Sequence, residues 1–155
     1  MIEDDIKRLN ELAESFRRMN NKFILLRLVQ KAQSEYDKYD YDSAKKSLLE
    51  AYKIDKTNPS VLRGLGCIKQ FNGNFKSAII FFKKALEYSK KKEVEYTLIG
   101  MAYYLQDHLD EAVKYFNLAI NENDTYERAY EGRNQAMLEN HLRLADIQDS
   151  LKKHF

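Results

Sequence analysis

A recurrence at 34 residues constrains this chain more than any other feature. The stretch GNFKSAIIFFKKALEYS, Gly73 to Ser89, has one relative a period upstream and another a period downstream. These are YDYDSAKKSLLEAYKID, Tyr39 to Asp55, and DHLDEAVKYFNLAINEN, Asp107 to Asn123. A chain that writes one segment three times at fixed spacing folds as stacked copies of one supersecondary unit. Each copy buries its apolar face against the next.

The unit is helical. In the middle copy Phe75, Ala78, Ile79, Phe82, Ala85 and Leu86 recur at three- and four-residue intervals, while Lys76, Lys83, Lys84 and Glu87 take the opposite face. Across the copies Ala44, Ala78 and Ala112 coincide, as do Ala51, Ala85 and Ala119, with Leu48, Phe82 and Phe116 between them. The resulting A-x3-[LF]-x2-A lets a neighbouring helix approach closely and then inserts a large side chain one turn on. Upstream of each copy lies a second helix, seen in Tyr96-x2-Ile99-Gly100-x2-Tyr103 and echoed by Leu62-x2-Leu65-Gly66. Glycine inside a helix costs about 1 kcal/mol relative to alanine. Gly66 and Gly100 therefore read as contact points against the paired helix. Asn72, Gly73 and Asn74 break the middle unit in two, Asn58 caps a helix beginning at Pro59, and Asp124 with Glu127 reads as a further capping pair. With one proline, five glycines and no β-branched run of period two, the fold class is all-α.

These residues resemble the tetratricopeptide repeat, whose 34-residue helix pair carries W-x2-L-G-x2-Y, then A-x3-F, then P. The resemblance covers three units, 25–58, 59–92 and 93–126, and residues 127–139 resemble a fourth first helix. Tyrosine or leucine stands for the family's tryptophan, and Lys56, Lys90 and Asp124 stand where it often has proline. Lys31 and Ala32 occupy the Leu-Gly positions of the first unit, so its first helix is expected to pack differently. The resemblance implies one domain over 1–155, a right-handed superhelical solenoid of antiparallel helix pairs. Two ends lie outside the register. Ile2, Ile6, Leu9, Ala13 and Phe16 share one helical face, and Leu144, Ile147, Leu151 and Phe155 share another. The expectation is that 1–24 and the end of 127–155 are capping helices that cover the solenoid's exposed faces. The alternative makes either a detachable segment that folds back into the groove.

Composition removes several functional classes. The 26 Lys and Arg nearly cancel 24 Asp and Glu, so a net charge of +2 provides no general attraction to nucleic acid or anionic lipid. Cys67 is the single cysteine and the opening MIEDDIK is acidic, which points to a cytoplasmic protein; AIIFF and FILL are too short to span a bilayer. His108, His141 and His154 are scattered, and no metal-ligand spacing occurs. Glu122, Asp124 and Glu127 lack the alternation of a calcium loop, and the dispersed glycines form no phosphate cradle. Cys67 has Arg63, Gly64, Gln70 and Phe71 as helical neighbours and no base among them. It reads as a semi-buried thiol whose pKa Arg63 lowers somewhat. The lysines at 90 to 92, with Lys83 and Lys84, lack interleaved aromatics and read as a solvated turn. The expectation is a protein that is not an enzyme and uses no cofactor or metal.

In proteins similar to this one, the first helices of the units line a concave surface that holds peptides. That resemblance implies a site built from Val29, Gln33 and Tyr36, then Arg63, Cys67 and Phe71, then Met101, Tyr104 and Leu105, with Arg128 at the edge. One subclass of the family grips the acidic tail of chaperones with a clamp of lysine, arginine and asparagine. Here Val29, Gln33, Gly64, Val94 and Leu98 stand at the clamp positions, so a chaperone tail is not the expected ligand. The partner expected is another protein, docking an apolar or amphipathic segment. Two alternatives are an RNA-binding helical-repeat protein, weakened by the near-zero net charge, and a regulatory subunit of an enzyme complex.

Overall fold

The computed structural model describes residues 2–152. Among them are seven helices and no strand: α1 (Ile2–Asp37), α2 (Tyr41–Ile54), α3 (Pro59–Phe71), α4 (Phe75–Tyr88), α5 (Lys92–Tyr104), α6 (Leu109–Glu122) and α7 (Glu127–Lys152). Each helix packs on its sequence neighbours, and α1 also touches α3 while α5 also touches α7. The architecture is a superhelix of antiparallel pairs in which the odd helices form one layer and the even helices the other.

The same turn closes the first helix of each unit. Tyr39, Gly73 and Asp107, one period apart, have φ of 62°, 73° and 69°. Behind each, a six-residue hydrogen bond returns to the helix, from Asp40 N to Glu35 O, from Asn74 N to Lys69 O and from His108 N to Tyr103 O. This is the left-handed helix stop that glycine favours. Asp40 and Asn74 then cap the following helix by accepting from Ser43 N and Ser77 N. Between units, Asp55, Ser89 and Asn123 each accept from the backbone N–H two residues on. Asn58 caps α3 as the sequence suggests, accepting from Ser60 N and Val61 N. At the last junction the accepting side chain is Asn123 rather than Asp124, since it can also take the Thr125 hydroxyl.

Interlocking of units follows the repeated glycines. Leu48, Phe82 and Phe116 are buried, as are the alanines on either side of them. A β-carbon added at Gly66 would lie 2.5 Å from Phe82 Cε1, and one at Gly100 would lie 2.9 Å from Phe116 Cε1. The same plugs are gripped from the next unit, where a β-carbon at Gly64 would meet Leu48 Cδ2 at 2.8 Å and one at Gly132 would meet Phe116 Cε1 at 2.5 Å. Phe116 therefore sits between its own unit's first helix and that of the next, while Phe82 meets the glycine of its own unit and Leu48 that of the following one.

The ends depart from the sequence reading. In place of a separate helix over 1–24 and a repeat helix after it, α1 is continuous through Asp37. Its side chains from Ile2 to Phe23 stand exposed, and only from Leu25 onward do Leu25, Leu28, Val29, Ala32 and Tyr36 join the core. Lys31 is exposed at the position where Leu65 and Ile99 are buried, since the residues before the first unit run on in line with its first helix and do not cover it. At the other end α7 runs on without a break past the fourth first-helix stretch. Arg143 pairs with Asp107 and Glu139, and Asn140 donates to Asp110, so α7 is held as far as residue 143. Leu144, Ile147 and Leu151 are exposed, and Phe155 and His154 lie outside the described residues.

Candidate functional site

Because the odd helices run in the same direction, their ends sort the layer they form into two edges. At the start of α3, α5 and α7 stand Arg63, Glu95 and Arg128; at the ends of α1, α3 and α5 stand Tyr36, Phe71 and Tyr104 with Leu105. The first edge is charged and the second aromatic and apolar.

On the charged edge Arg63 and Glu95 join neighbouring units. Arg63 donates from Nε to Glu95 Oε2 at 2.9 Å and from Nη2 to Oε1 at 2.7 Å. Glu95 is fully buried, whereas the Arg63 side chain remains 30% exposed. The hydrogen bond to the carboxylate raises the Arg63 pKa against the opposing effect of burial. Arg63 is thus a bracket between α3 and α5 before it is a contact for any ligand. Glu95 escapes sequence reasoning, since an isolated glutamate in a first turn normally faces water.

Cys67 lies one turn on from Arg63, and its thiol interacts electrostatically with Arg63, Glu95, Arg128 and Tyr36. The structure so brings together four of the residues singled out in the sequence. Burial pushes the thiol up to about 11, outweighing the downward pull of Arg63 and Arg128. The expected lowering by Arg63 is corrected: loss of hydration is the larger effect.

The aromatic edge is built from rings of two layers. Tyr36 meets Tyr41 edge-on at 5.1 Å and 74°, and Tyr41 lies against Phe71 at 3.8 Å and 32°. Phe71 is nevertheless 57% exposed, held in place by Tyr41 and presenting its other face to solvent. Further along, Met101 and Leu105 are 38% and 49% exposed. The Tyr104 hydroxyl donates to Glu139 Oε2 at 2.8 Å, which raises the phenol pKa. Tyr104 is consequently tied to α7, its ring half-buried against the cluster of Leu109, Ala112, Phe116 and Ala136. Val29 is half-buried against the first core cluster, while Gln33 is exposed and donates to Asp37 at 2.8 Å. Arg128 is exposed. Tyr41 and Glu139 lie outside the first helices of the three units, which is why spacing alone does not find them.

No group of three or more metal-binding side chains occurs among the described residues, and no described helix is long and apolar enough to cross a membrane. The surface can present rings, methyl groups and a few charges.

The sequence profile described as tetratricopeptide repeat matches residues 64–92 and 96–129. No curated protein sequence matches the chain. Among solved structures, a Thermobaculum terrenum O-GlcNAc transferase mutant is similar over 76% of this chain and 22% of its own, at 16% identity and a TM-score of 0.71. The first repeat domain of Spaghetti (RPAP3), bound to the HSP90 peptide SRMEEVD, is similar over 76% of this chain and 93% of its own, at 17% identity and 0.68. The Yersinia enterocolitica type III secretion chaperone SycD, in complex with a peptide of the translocator YopD, matches 75% of this chain and 94% of its own, at 19% identity and 0.66. Identities this low speak for the fold alone. The chain spans about a fifth of the transferase.

Proposed function

Because this chain is a tetratricopeptide-repeat protein, we propose that it is a non-enzymatic scaffold that docks an apolar or amphipathic segment of a partner protein along its concave layer. Stacked helix pairs of this kind serve as protein-interaction scaffolds. The units are 25–58, 59–92 and 93–126, with a fourth first helix opening at 127. The observation that carries the reading is the run of partly exposed apolar side chains, Phe71, Met101 and Leu105, along the ends of consecutive first helices. Apolar groups held rigidly on helices desolvate at little entropic cost, so they make good anchors. Val29 and Gln33 at clamp positions, and the commitment of Arg63 to Glu95, argue against an acidic tail as the ligand.

The reading is tested with peptides selected from a displayed library against the full chain. Selected peptides are expected to be amphipathic, to protect 94–105 from hydrogen exchange, and to bind more weakly to Phe71→Ala and Tyr104→Ala than to Arg128→Ala. Protection confined to the even helices would overturn it, as would selection of purely acidic peptides.

A further inference from the structure

The exposed part of α1 carries more order than a loose amphipathic face. Leu9, Leu12, Phe16, Met19, Phe23 and Leu26 alternate intervals of three and four, and each is more than half exposed. That is an unbroken seam of three heptads, with Leu9, Phe16 and Phe23 at one core position and Leu12, Met19 and Leu26 at the other. Phe16, Met19, Asn20 and Phe23, at offsets of zero, three, four and seven, frame a shallow depression on the helix surface together with Arg17. Four residues at those offsets form the hole into which a coiled-coil knob inserts. A helical arm of this length with no tertiary contact is marginal in water, so the seam calls for a covering helix.

We propose that the covering helix is the same arm of a second copy, running antiparallel, with Leu9 of one chain opposite Leu26 of the other. In that register Leu12 faces Phe23 and Phe16 faces Met19, so each ring meets an aliphatic or thioether side chain and no two aromatics meet. The polar positions at the ends also match. Asp5 stands at a core position one heptad before Leu12, and Gln30 at a core position one heptad after Phe23. The antiparallel register places Asp5 opposite Gln30 of the second copy, a carboxylate facing an amide donor.

Beside the seam, the flanking positions are Arg8, Ser15 and Lys22 on one side and Ala13, Asn20 and Arg27 on the other. The antiparallel register sets Ser15 against Lys22 and Ala13 against Asn20, with no like charges opposed. A parallel pair instead sets Asp5 against Asp5, Lys22 against Arg27 and Phe16 against Phe16, three unfavourable layers. Sliding the antiparallel pair by one heptad puts Asp5 against Phe23 or Leu12 against Gln30. Area favours the pairing as well. At about 100 Å² of apolar surface for each buried large side chain, two sets of six bury about 1,200 Å², within the range of specific interfaces.

Sedimentation equilibrium of the full chain under reducing conditions is expected to give twice the chain mass. Phe16→Glu is expected to return it to the single-chain mass with the thermal melt of the repeat body unchanged, since Phe16 touches none of that body. A single-chain mass for the parent, leaving the seam for a helix of another protein, overturns the proposal, as does a dimer that survives Phe16→Glu. Direction is read by oxidation in a Cys67→Ser background. Mixed Leu9→Cys and Leu26→Cys proteins are expected to form a covalent heterodimer, and Leu9→Cys alone none. A covalent Leu9→Cys homodimer would show a parallel pair and overturn the register.

Discussion

Phe116 of α6 fills the space left by Gly132 of α7: a β-carbon there would lie 2.5 Å from both Cε1 and Cζ of the ring. The ring is completely buried and also lies close to Gly100, where an added β-carbon would be 2.9 Å from Cε1, so it has little room to swing away. Gly132→Ala is expected to destabilise the protein by about 1 to 3 kcal/mol through overpacking, despite alanine's better helix propensity. Chemical denaturation checks this, and a stabilised variant would show that the ring yields.

The left-handed turn separates backbone strain from packing. At Gly73 nothing lies within 4 Å of an added β-carbon, and Tyr39 adopts the same conformation with its side chain 80% exposed. Gly73→Ala is expected to cost about 1 kcal/mol and Tyr39→Gly to gain up to a similar amount, less the entropy glycine returns to the unfolded chain. Opposite shifts in the denaturation midpoint of the two variants would check the pair.

Arg63 and Glu95 give a third expectation. Glu95→Leu leaves a guanidinium without its partner in a largely buried place, and about 3 kcal/mol of stability is expected to go with it. Part of that loss is relieved by the solvent that still reaches Arg63. Arg63→Met combined with Glu95→Leu removes both charges and is expected to recover most of the loss. A double variant as weak as the single one would show that shape, rather than charge, holds this junction.

Cys67 supplies the pH dependence. Its thiol moves from an ordinary 9.0 to about 11 on folding, so the folded state binds the proton more tightly. The associated stability is fully present below pH 9, and falls as pH rises through the folded value. Over that window the parent is expected to lose more stability than Cys67→Ala, as read by urea midpoints. The same burial predicts slow reaction with thiol reagents near neutral pH, quickening on unfolding.

Recurrence decides what is legible in the sequence. Gly66 and Gly100 announce themselves by occupying one register position twice, and the plugs Leu48, Phe82 and Phe116 do so three times. Gly64 and Gly132 do the same work from the following unit, but Leu98 stands between them at that position and breaks the signal. The left-handed turn is visible at Gly73 and hidden at Tyr39, because tyrosine carries no turn preference of its own. The bracket of Arg63 and Glu95 spans 32 residues and two units, beyond the reach of any local pattern. On α1 the apolar stripe was plain, yet a stripe says only that something covers it. Whether it bends back or stands away depends on the helix continuing unbroken through residues 20–25, where no proline or glycine interrupts it.

That continuity makes α1 a lever. Its 36 residues measure about 54 Å along one axis, and the inner wall of the first unit is the far end of the same rod. With no hinge between them, turning the rod about its axis at Phe16 turns Tyr36 by the same angle. Whatever grips the projecting end thereby sets the bearing of the layer of odd helices, as a key's handle sets the bearing of its bit.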